Sequence, residues 1–257
     1  MFGDQKIQIG STKVWTVGPI DVLVCRQHGE LKIGRRQPRP ATALEIEART
    51  DGLSESECAS FSTTRFSSLE QSSDIVHISP TTAPTPLVVS LREPVVLRPN
   101  SITPVFVSTP VWVAFSTKSD LPPFYEMPSL ELKQTWFGPN RRDGELCFSC
   151  TNQGTIHADY VAYHPLRALT RLTVHQSGDR PFHLEKLKLP LPSLKLYRDT
   201  NNHLHTDGLR VTIQKDRVQL SIAKELRLDG SDSVNLIARA RKKGTTGLER
   251  ALSAMLS

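Results

Sequence analysis

The chain lacks the short motifs on which many nucleotide-binding and hydrolytic enzymes are built. Its 257 residues contain no Gly-x-Gly-x-x-Gly, no phosphate-binding Gly-x-x-x-x-Gly-Lys, no Gly-x-Ser-x-Gly nucleophile turn and no His-Glu-x-x-His zinc motif. We therefore do not expect an enzyme of those classes. The sequence assigns neither a catalytic residue nor a cofactor.

Long apolar runs and cysteines are also scarce. No segment approaches the roughly 18 apolar residues that a membrane-spanning helix requires, and residues 1–10 lack the basic-then-apolar order of a secretory signal. The four cysteines include one close pair, Cys147 and Cys150, so no disulfide framework is expected. These features predict a soluble cytoplasmic protein, for which any contact with the inner membrane would be peripheral.

The sequence is rich in the pattern of short β-strands. The stretch from Arg92 to Ser116 predicts two strands joined by a turn at Pro99-Asn100-Ser101, because proline fixes φ and the Asn and Ser side chains can hydrogen-bond to the turn backbone. In the first forty residues, short runs of alternating apolar and polar residues, separated by glycine and proline, predict a meander of strands. The fold class is therefore expected to be all-β.

We expect two antiparallel β-sandwich-like domains. The boundary is predicted between residues 120 and 129, where Pro122, Pro123 and Pro128 disfavour both a helix and a central strand. The N-terminal β-domain would then span 1–120 and a basic C-terminal β-domain 129–257. Sequence alone leaves the strand order and the oligomeric state open.

The end of the chain has helical periodicity. Thr245 or Thr246 could cap a helix in which four apolar residues fall at i, i+3, i+4 and i+7, namely Leu248, Ala251, Leu252 and Met255. A helix of about ten residues is marginal in isolation, so it must dock on this protein or on a partner.

Positive charge is concentrated in the second half of the chain. Residues 1–128 hold 12 Lys+Arg and 13 Asp+Glu, whereas residues 129–257 hold 20 and 13, so the net charges are −1 and +7. Such an asymmetry is typical of surfaces for acidic proteins, anionic lipid or nucleic acid, and also of an ordinary solvated surface. Nucleic acid is not expected here, because no basic-aromatic recognition motif is present.

The strongest candidate site lies where the basic run meets the helical pattern. The cations of residues 239–243 would be attracted to an acidic partner or an anionic membrane. The apolar face of the helix would then contact the same partner or membrane. The alternative is that the helix packs on its own domain and that the basic residues before it are simply exposed to solvent. The candidate partner- or membrane-binding residues are Arg239, Arg241, Lys242, Lys243, Leu248, Leu252 and Met255.

Two groups of residues invite a metal site. Cys147 and Cys150, with His157 and His164 downstream, offer soft ligands, but the cysteines lie where a strand is expected and would point to opposite faces. His203 and His205 would share one face of a strand with Asp207 close behind, yet they follow a polar turn and the sequence assigns no third or fourth ligand. We therefore predict no metal, with His203 and His205 as weak candidates.

The chain resembles an uncharacterised family of archaeal and bacterial proteins, the domain of unknown function 432. The resemblance rests on Met1-Phe2-Gly3, on Pro94 through Pro110-Val111 with its Pro99-x-Ser101 turn, and on Trp136-Phe137-Gly138 to Gly144-Glu145-Leu146. It implies no established activity, so no catalytic residue can be transferred. Members of that family are described as encoded near small-conductance mechanosensitive channels, which implies a channel as a partner without supplying a mechanism.

We expect a non-enzymatic accessory protein that binds a protein partner, such as the cytoplasmic portion of a membrane channel, or the adjacent membrane surface. The alternative is a small-ligand-binding or metal-dependent hydrolytic domain that uses His203, His205 and a groove lined by Trp15, Trp112 and Trp136. Tryptophans are more often core residues than groove residues, which favours the first hypothesis.

Overall fold

The chain folds almost entirely into β-strands, as the sequence predicts. The computed structural model describes residues 1–40, 42–50, 53–67, 74–118, 121–138, 142–157, 160–214, 217–223, 234–242 and 249–250. Within these ranges it contains 21 strands, one α-helix (α1, Glu55–Ala59) and a 3-10 helix at Leu191–Ser193. The all-β class is confirmed.

The strands of the first half lie between residues 3 and 128. They are β1 (Gly3–Lys6), β2 (Thr12–Val17), β3 (Ile20–Gln27), β4 (Glu30–Arg36), β5 (Ile46–Thr50), β6 (Ser62–Ser67), β7 (Ile75–Thr81), β8 (Leu87–Leu97), β9 (Ser101–Pro110), β10 (Trp112–Ser116) and β11 (Tyr125–Pro128).

The strands of the second half begin at residue 133. They are β12 (Lys133–Phe137), β13 (Glu145–Asn152), β14 (Arg167–Gln176), β15 (Phe182–Leu189), β16 (Leu196–Asp199), β17 (Leu204–Thr206), β18 (Leu209–Gln214), β19 (Arg217–Ile222), β20 (Val234–Ala238) and β21 (Glu249–Arg250).

The strands group into two compact units that are discontinuous in sequence. The first unit comprises Met1–Thr81, Trp112–Leu130 and His164–Leu166, and the second comprises Thr82–Val111, Glu131–Tyr163 and Arg167–Ser257. These units differ from the predicted ranges 1–120 and 129–257, because β8 and β9 belong to the second unit. Whether the predicted ranges fold independently stays a prediction.

The first unit is a sandwich of two sheets. A five-stranded sheet has the order β5-β2-β3-β4-β6 and a four-stranded sheet the order β1-β7-β10-β11, with antiparallel pairing throughout. Apolar side chains from both sheets share one core, for example Trp15 and Val22 from the first sheet and Ile78 and Phe115 from the second. The predicted N-terminal meander is confirmed for β2-β3-β4, whereas β1 pairs with β7 in the other sheet.

Strand β3 is covered on both of its faces. Its residues from Ile20 to Val24 are all buried, and Leu23 packs in a second cluster with Val14 and Phe61 on the face away from the main core. Helix α1 leads into Phe61 and begins with a capping box, in which Ser54 and Glu57 each accept a hydrogen bond from the other's backbone N–H. Burial on both faces is consistent with the almost uninterrupted apolar character of this strand.

The second unit has two mixed sheets. One has the order β12-β13-β8-β15, and the other runs β20-β16-β17-β14-β18-β19-β21, with β9 also paired to β14. Most pairs are antiparallel, as predicted, but β13 with β8, β14 with β17, and β14 with β18 are parallel. Local sequence patterns do not encode such pairs, because their strands are far apart in the chain.

The predicted turn at Pro99-Asn100-Ser101 connects two sheets. Asn100 has a positive φ of 53°, and the Ser101 hydroxyl donates a hydrogen bond to the Arg98 carbonyl at 2.5 Å. Strand β8 before the turn pairs with β13 and β15, whereas β9 after it pairs with β14. The turn therefore carries the chain from one sheet of the second unit to the other.

Candidate functional site

The described cations of the predicted binding region lie immediately after β20. Arg239, Arg241 and Lys242 are all exposed. Of the other residues predicted for this site, Lys243, Leu248, Leu252 and Met255 lie outside the described residues. We call residues 239–242 the basic segment.

The basic segment is held against the second unit by two hydrogen bonds. The Lys242 backbone N–H donates to the Pro192 carbonyl at 2.9 Å, and Nε of Arg241 donates to the Thr82 carbonyl at 2.9 Å. These contacts fix the path of the chain after β20, while the side chain of Lys242 remains exposed. The cations thus occupy defined positions at one edge of a sheet.

Strand β20 forms that edge. It pairs antiparallel with β16, with Tyr197 opposite Leu236 and Leu196 opposite Ala238, so Ile237 is an extra residue that forms a β-bulge. Ile237 and Ala238 pack against a buried cluster that includes Leu196 and Leu204. The Leu236 side chain is 48% exposed. The strand therefore has an inner apolar side and an exposed leucine on its outer side.

The predicted C-terminal helix is not confirmed. Most of its residues lie outside the described part of the chain, and the two that are described, Glu249 and Arg250, form strand β21, which pairs with Leu220 and Gln219 of β19. Pairing with a neighbouring strand supplies backbone hydrogen bonds that a marginal isolated helix cannot match, so tertiary context overrides the helical periodicity at these two positions.

His203 and His205 lie beside Asp199, His203 directly before β17 and His205 within it. Nε2 of His205 is 3.0 Å from Oδ2 of Asp199, and Nδ1 of His203 is 3.4 Å from the same oxygen. The other carboxylate oxygen, Oδ1, accepts backbone N–H groups of Asn201 at 2.9 Å and His203 at 2.8 Å. Asp199 therefore organises the predicted turn and orients both imidazoles.

Tyr163 covers this group, and we call Tyr163, Asp199, His203 and His205 the Asp199 cluster. The rings of Tyr163 and His203 stack at a centroid distance of 3.7 Å and an angle of 10°. Tyr163 also meets His205 edge-on at 5.9 Å. His205 is 3% exposed, and its Nδ1 atom has no hydrogen-bond partner among the described residues.

Burial and hydrogen bonding shift the ionisation of this cluster. Burial lowers the pKa of His205 and outweighs the opposing effect of Asp199. For Asp199, burial acts to raise the pKa, but hydrogen bonds from His205 and the His203 backbone, with the two imidazoles, lower it overall. Burial also raises the pKa of Tyr163, assisted by the Asp199 charge.

A second buried acid lies nearby on the same hairpin. Asp207 accepts a hydrogen bond from the Lys195 backbone N–H at 2.7 Å and another from the Tyr197 hydroxyl at 2.9 Å. Burial, together with Asp207, raises the pKa of Tyr197 to about 12. Both acids of this hairpin, Asp199 and Asp207, are thus buried with their carboxylates engaged by neighbouring groups.

Sequence reasoning identified the two histidines and the turn but missed Asp199 and Tyr163 as their partners. The Asp199-Thr-Asn-Asn turn gave a signal for Asp199, because Asp side chains commonly accept backbone N–H groups in such turns. Tyr163 gave none, since it reaches the histidines from a distant point in the chain. Across the described residues, no group of three or more His, Cys, Asp or Glu side chains is placed to hold a metal ion.

The cysteines and tryptophans considered as candidate site residues lie on strands or in the core. Cys147 and Cys150 lie on β13 as predicted, and all four cysteines are free thiols. Burial raises the pKa of Cys147 to about 11, which disfavours the reactive thiolate. Trp15 and Trp112 are each 4% exposed, whereas Trp136 is 48% exposed in the other unit. The three tryptophans therefore differ in environment, and two of them are buried.

Comparison with known proteins places the chain in one family. The family model described as "Protein of unknown function (DUF432)" matches residues 1–255, so the chain belongs to that family. No curated protein and no solved structure matches it. Among the helices of the described residues, none is long and apolar enough to cross a membrane.

Proposed function

We propose that this DUF432 family member is a non-enzymatic interaction protein that binds an acidic protein partner through the basic segment. The observation that carries the proposal is the ten-residue stretch 234–243, which has four cations and no acid. Its described cations are exposed and follow a strand at the edge of a sheet. A local excess of one charge attracts and orients a partner of the opposite charge.

The neighbouring hairpin adds to this positive potential. Lys195 is exposed directly before β16, and Arg198 on β16 is half-buried. Two described acids of this hairpin, Asp199 and Asp207, are buried and engaged in hydrogen bonds. Among the described residues around β20, the cations are therefore presented to solvent while these two acids are buried.

The partner that the family resemblance implies is the cytoplasmic portion of a mechanosensitive channel. An acidic segment of such a portion has the chemistry that the basic segment would recognise. The anionic membrane surface beside it is the competing target, and a direct test separates the two.

The test is affinity capture from gently solubilised cells with the intact protein and an Arg239→Glu/Lys242→Glu variant. We expect the intact protein to retain an acidic protein at low salt and the variant not to retain it. High salt should also release the acidic protein, because salt screens exposed ion pairs. A Lys133→Glu/Arg180→Glu variant is the control, since it has the same net charge and reverses two exposed cations elsewhere in the unit.

Two results would overturn the proposal. One is that the charge-reversed variant and its control retain the same proteins in equal amounts. The other is that the purified protein binds phosphatidylserine vesicles, in a manner that depends on Arg239 and Lys242, but retains no protein. The second result would assign the basic segment to a membrane surface.

The alternative of a metal-dependent hydrolytic domain is not our proposal. One ring nitrogen of each histidine, Nε2 of His205 and Nδ1 of His203, already meets Asp199, and this arrangement explains the two side chains as parts of a turn. Metal analysis of the purified protein, with His203→Ala and His205→Ala variants, tests the alternative directly. Stoichiometric zinc that both variants lose would restore it.

A further inference from the structure

Strand β20 has a hydrogen-bonding side that no described strand occupies. It stands at the end of its sheet, where the order runs β20-β16-β17, and β16 is its single partner among the strands that the structure describes. An edge strand presents a row of backbone N–H and C=O groups to which another extended chain can pair.

Most edge strands in natural proteins carry features that discourage such pairing, namely charged residues or proline. Each of the other described edge strands has at least one. They include Lys6 in β1, Pro128 in β11, Lys133 in β12, Lys186 in β15, Glu249 in β21, Glu47 in β5, Arg65 in β6 and Pro104 in β9. Strand β20, with the sequence Val-Asn-Leu-Ile-Ala, has none. It is the one edge in the described structure without charge or proline.

We infer that the acidic partner adds an extended segment to the free edge of β20 as a further strand of the sheet. This inference rests on the proposed function and specifies how the partner is held. In strand addition, main-chain hydrogen bonds supply affinity, and contacts with alternate side chains supply specificity.

The side chains around the edge indicate the character of that segment. Leu236 is 48% exposed beside Tyr197 and offers an apolar contact to one face of an added strand. The bulge at Ile237 ends the regular pairing, and the cations of the basic segment follow directly. The complementary segment therefore alternates apolar and polar residues over its paired part and is acidic at the end that reaches Arg239 and Lys242.

The probe is a fluorescent synthetic peptide that carries three Val-Thr pairs with four glutamates at each end, so that an acidic end reaches Arg239 and Lys242 in either strand direction. It is compared with the same peptide N-methylated at alternate backbone nitrogens, which removes N–H donors without changing charge. We expect fluorescence anisotropy to show binding of the first peptide and at least tenfold weaker binding of the second. Hydrogen exchange at the amides of 234–238 should slow when the first peptide is bound.

A matched pair of variants locates the contact on the protein. Leu236→Asp removes the apolar contact and places an acid against an acidic peptide, so we expect at least tenfold weaker binding. Ile102→Asp changes another exposed aliphatic residue of the same unit, which is 66% exposed on β9, and should bind the peptide like the unmodified protein.

The outcomes separate this inference from the proposed function. Strand addition is overturned if the protein binds both peptides equally well or binds neither of them. The capture experiment decides the proposed function on its own. Self-association through Leu236, measured by sedimentation, would identify a second copy as the occupant and also overturn it. Faster exchange at 234–238 in a chain ending at Lys242 would show that the protein's own C-terminal residues cover this edge, and would likewise overturn the inference.

Discussion

At the scale of single residues, Asp199 makes more stabilising contacts than any other member of its cluster. Its two oxygens accept two backbone N–H groups of the turn and the Nε2 proton of His205. Hydrogen bonds to a charged, buried group each contribute about 1.5–3 kcal/mol, and their loss leaves the buried Nε2 of His205 unsatisfied. The sequence identified the two histidines, but the carboxylate determines where they point.

Replacing Asp199 with alanine tests this role. We expect Asp199→Ala to lower the free energy of unfolding by about 3 kcal/mol, because three donors lose their acceptor at once. Urea denaturation followed by circular dichroism measures the change. Asp179→Ala removes an exposed loop carboxylate in the same unit and should change the free energy of unfolding by less than about 0.5 kcal/mol. Similar values for both variants would show that the turn does not depend on Asp199.

The lowered pKa values of His205 and Asp199 make stability depend on pH in one direction. The ordinary values are 6.5 and 3.8, and both are lower in the folded protein. Between the folded and unfolded pKa of each group, the unfolded chain binds more protons, so the free energy of unfolding falls as pH falls. The loss begins below about pH 6.5 for His205 and below about pH 4 for Asp199.

A His205→Gln variant isolates the first of these steps. Glutamine has a side-chain N–H that can still donate to Asp199, but it does not titrate. We expect the decline in unfolding free energy between pH 7 and pH 5 to be shallower than in the unmodified protein, by at most about 1.4 kcal/mol per pH unit. Urea midpoints at half-unit pH steps provide the measurement, with His28→Gln on an exposed turn as the control. Parallel pH curves for the unmodified protein and His205→Gln would contradict the pKa shift.

At the scale of elements, the turn between β2 and β3 shows why a glycine is required at position 18. Gly18 has a φ of +56°, a backbone conformation that residues with a side chain rarely adopt. A Cβ at this position would lie 2.8 Å from the Ala43 carbonyl oxygen and 2.9 Å from Cε1 of His164. Both the backbone conformation and the close approach therefore exclude a larger residue. Gly29, in the turn between β3 and β4, has a φ of +72° but open space around it.

Alanine substitutions at these two glycines separate the two effects. We expect Gly29→Ala to destabilise by about 1 kcal/mol, from the left-handed backbone alone. Gly18→Ala carries the same backbone penalty and also forces the Ala43 carbonyl aside, so we expect it to destabilise by at least about 2 kcal/mol. Thermal unfolding of both variants, each against the unmodified protein, gives the comparison. A smaller effect at Gly18 than at Gly29 would mean that the contact with Ala43 yields easily.

The elements also show how far sequence reasoning extends. Local signals predicted the strand-turn-strand segments, including the turn at Asn100 and the meander, because turn residues and alternation act over a few positions. The parallel pairs of β14 with β17 and β18 carry no local signal. Helix α1 was also missed, although Ser54 and Glu57 have the spacing of a capping box. For the candidate site, the cations were predicted, but the position of β20 at an edge of the described sheet depends on sheet order, which local patterns do not specify.

At the scale of the whole molecule, the interleaving of the two compact units bears on the predicted boundary near residue 120. The predicted ranges 1–120 and 129–257 leave β11 outside both, although it pairs with β10 from Trp112 to Phe115, and they remove Leu166 from the core of the first unit. They also leave β8 and β9 without β13, β14 and β15, with which those strands pair. The pairing therefore leads us to expect that neither range is self-sufficient.

Expression of residues 1–120 and 129–257 as separate chains decides the question. We expect the 1–120 chain to lack a cooperative thermal transition, because its β8 and β9 expose apolar residues such as Leu87, Val89 and Val105 that are fully buried in the intact protein. Mixing the two chains should not restore the transition of the intact protein, because strand β11 is absent from both of them. A cooperative transition in the 1–120 chain alone would instead support the boundary that the prolines predict, and the interleaved strands would then be additions to a domain that already folds.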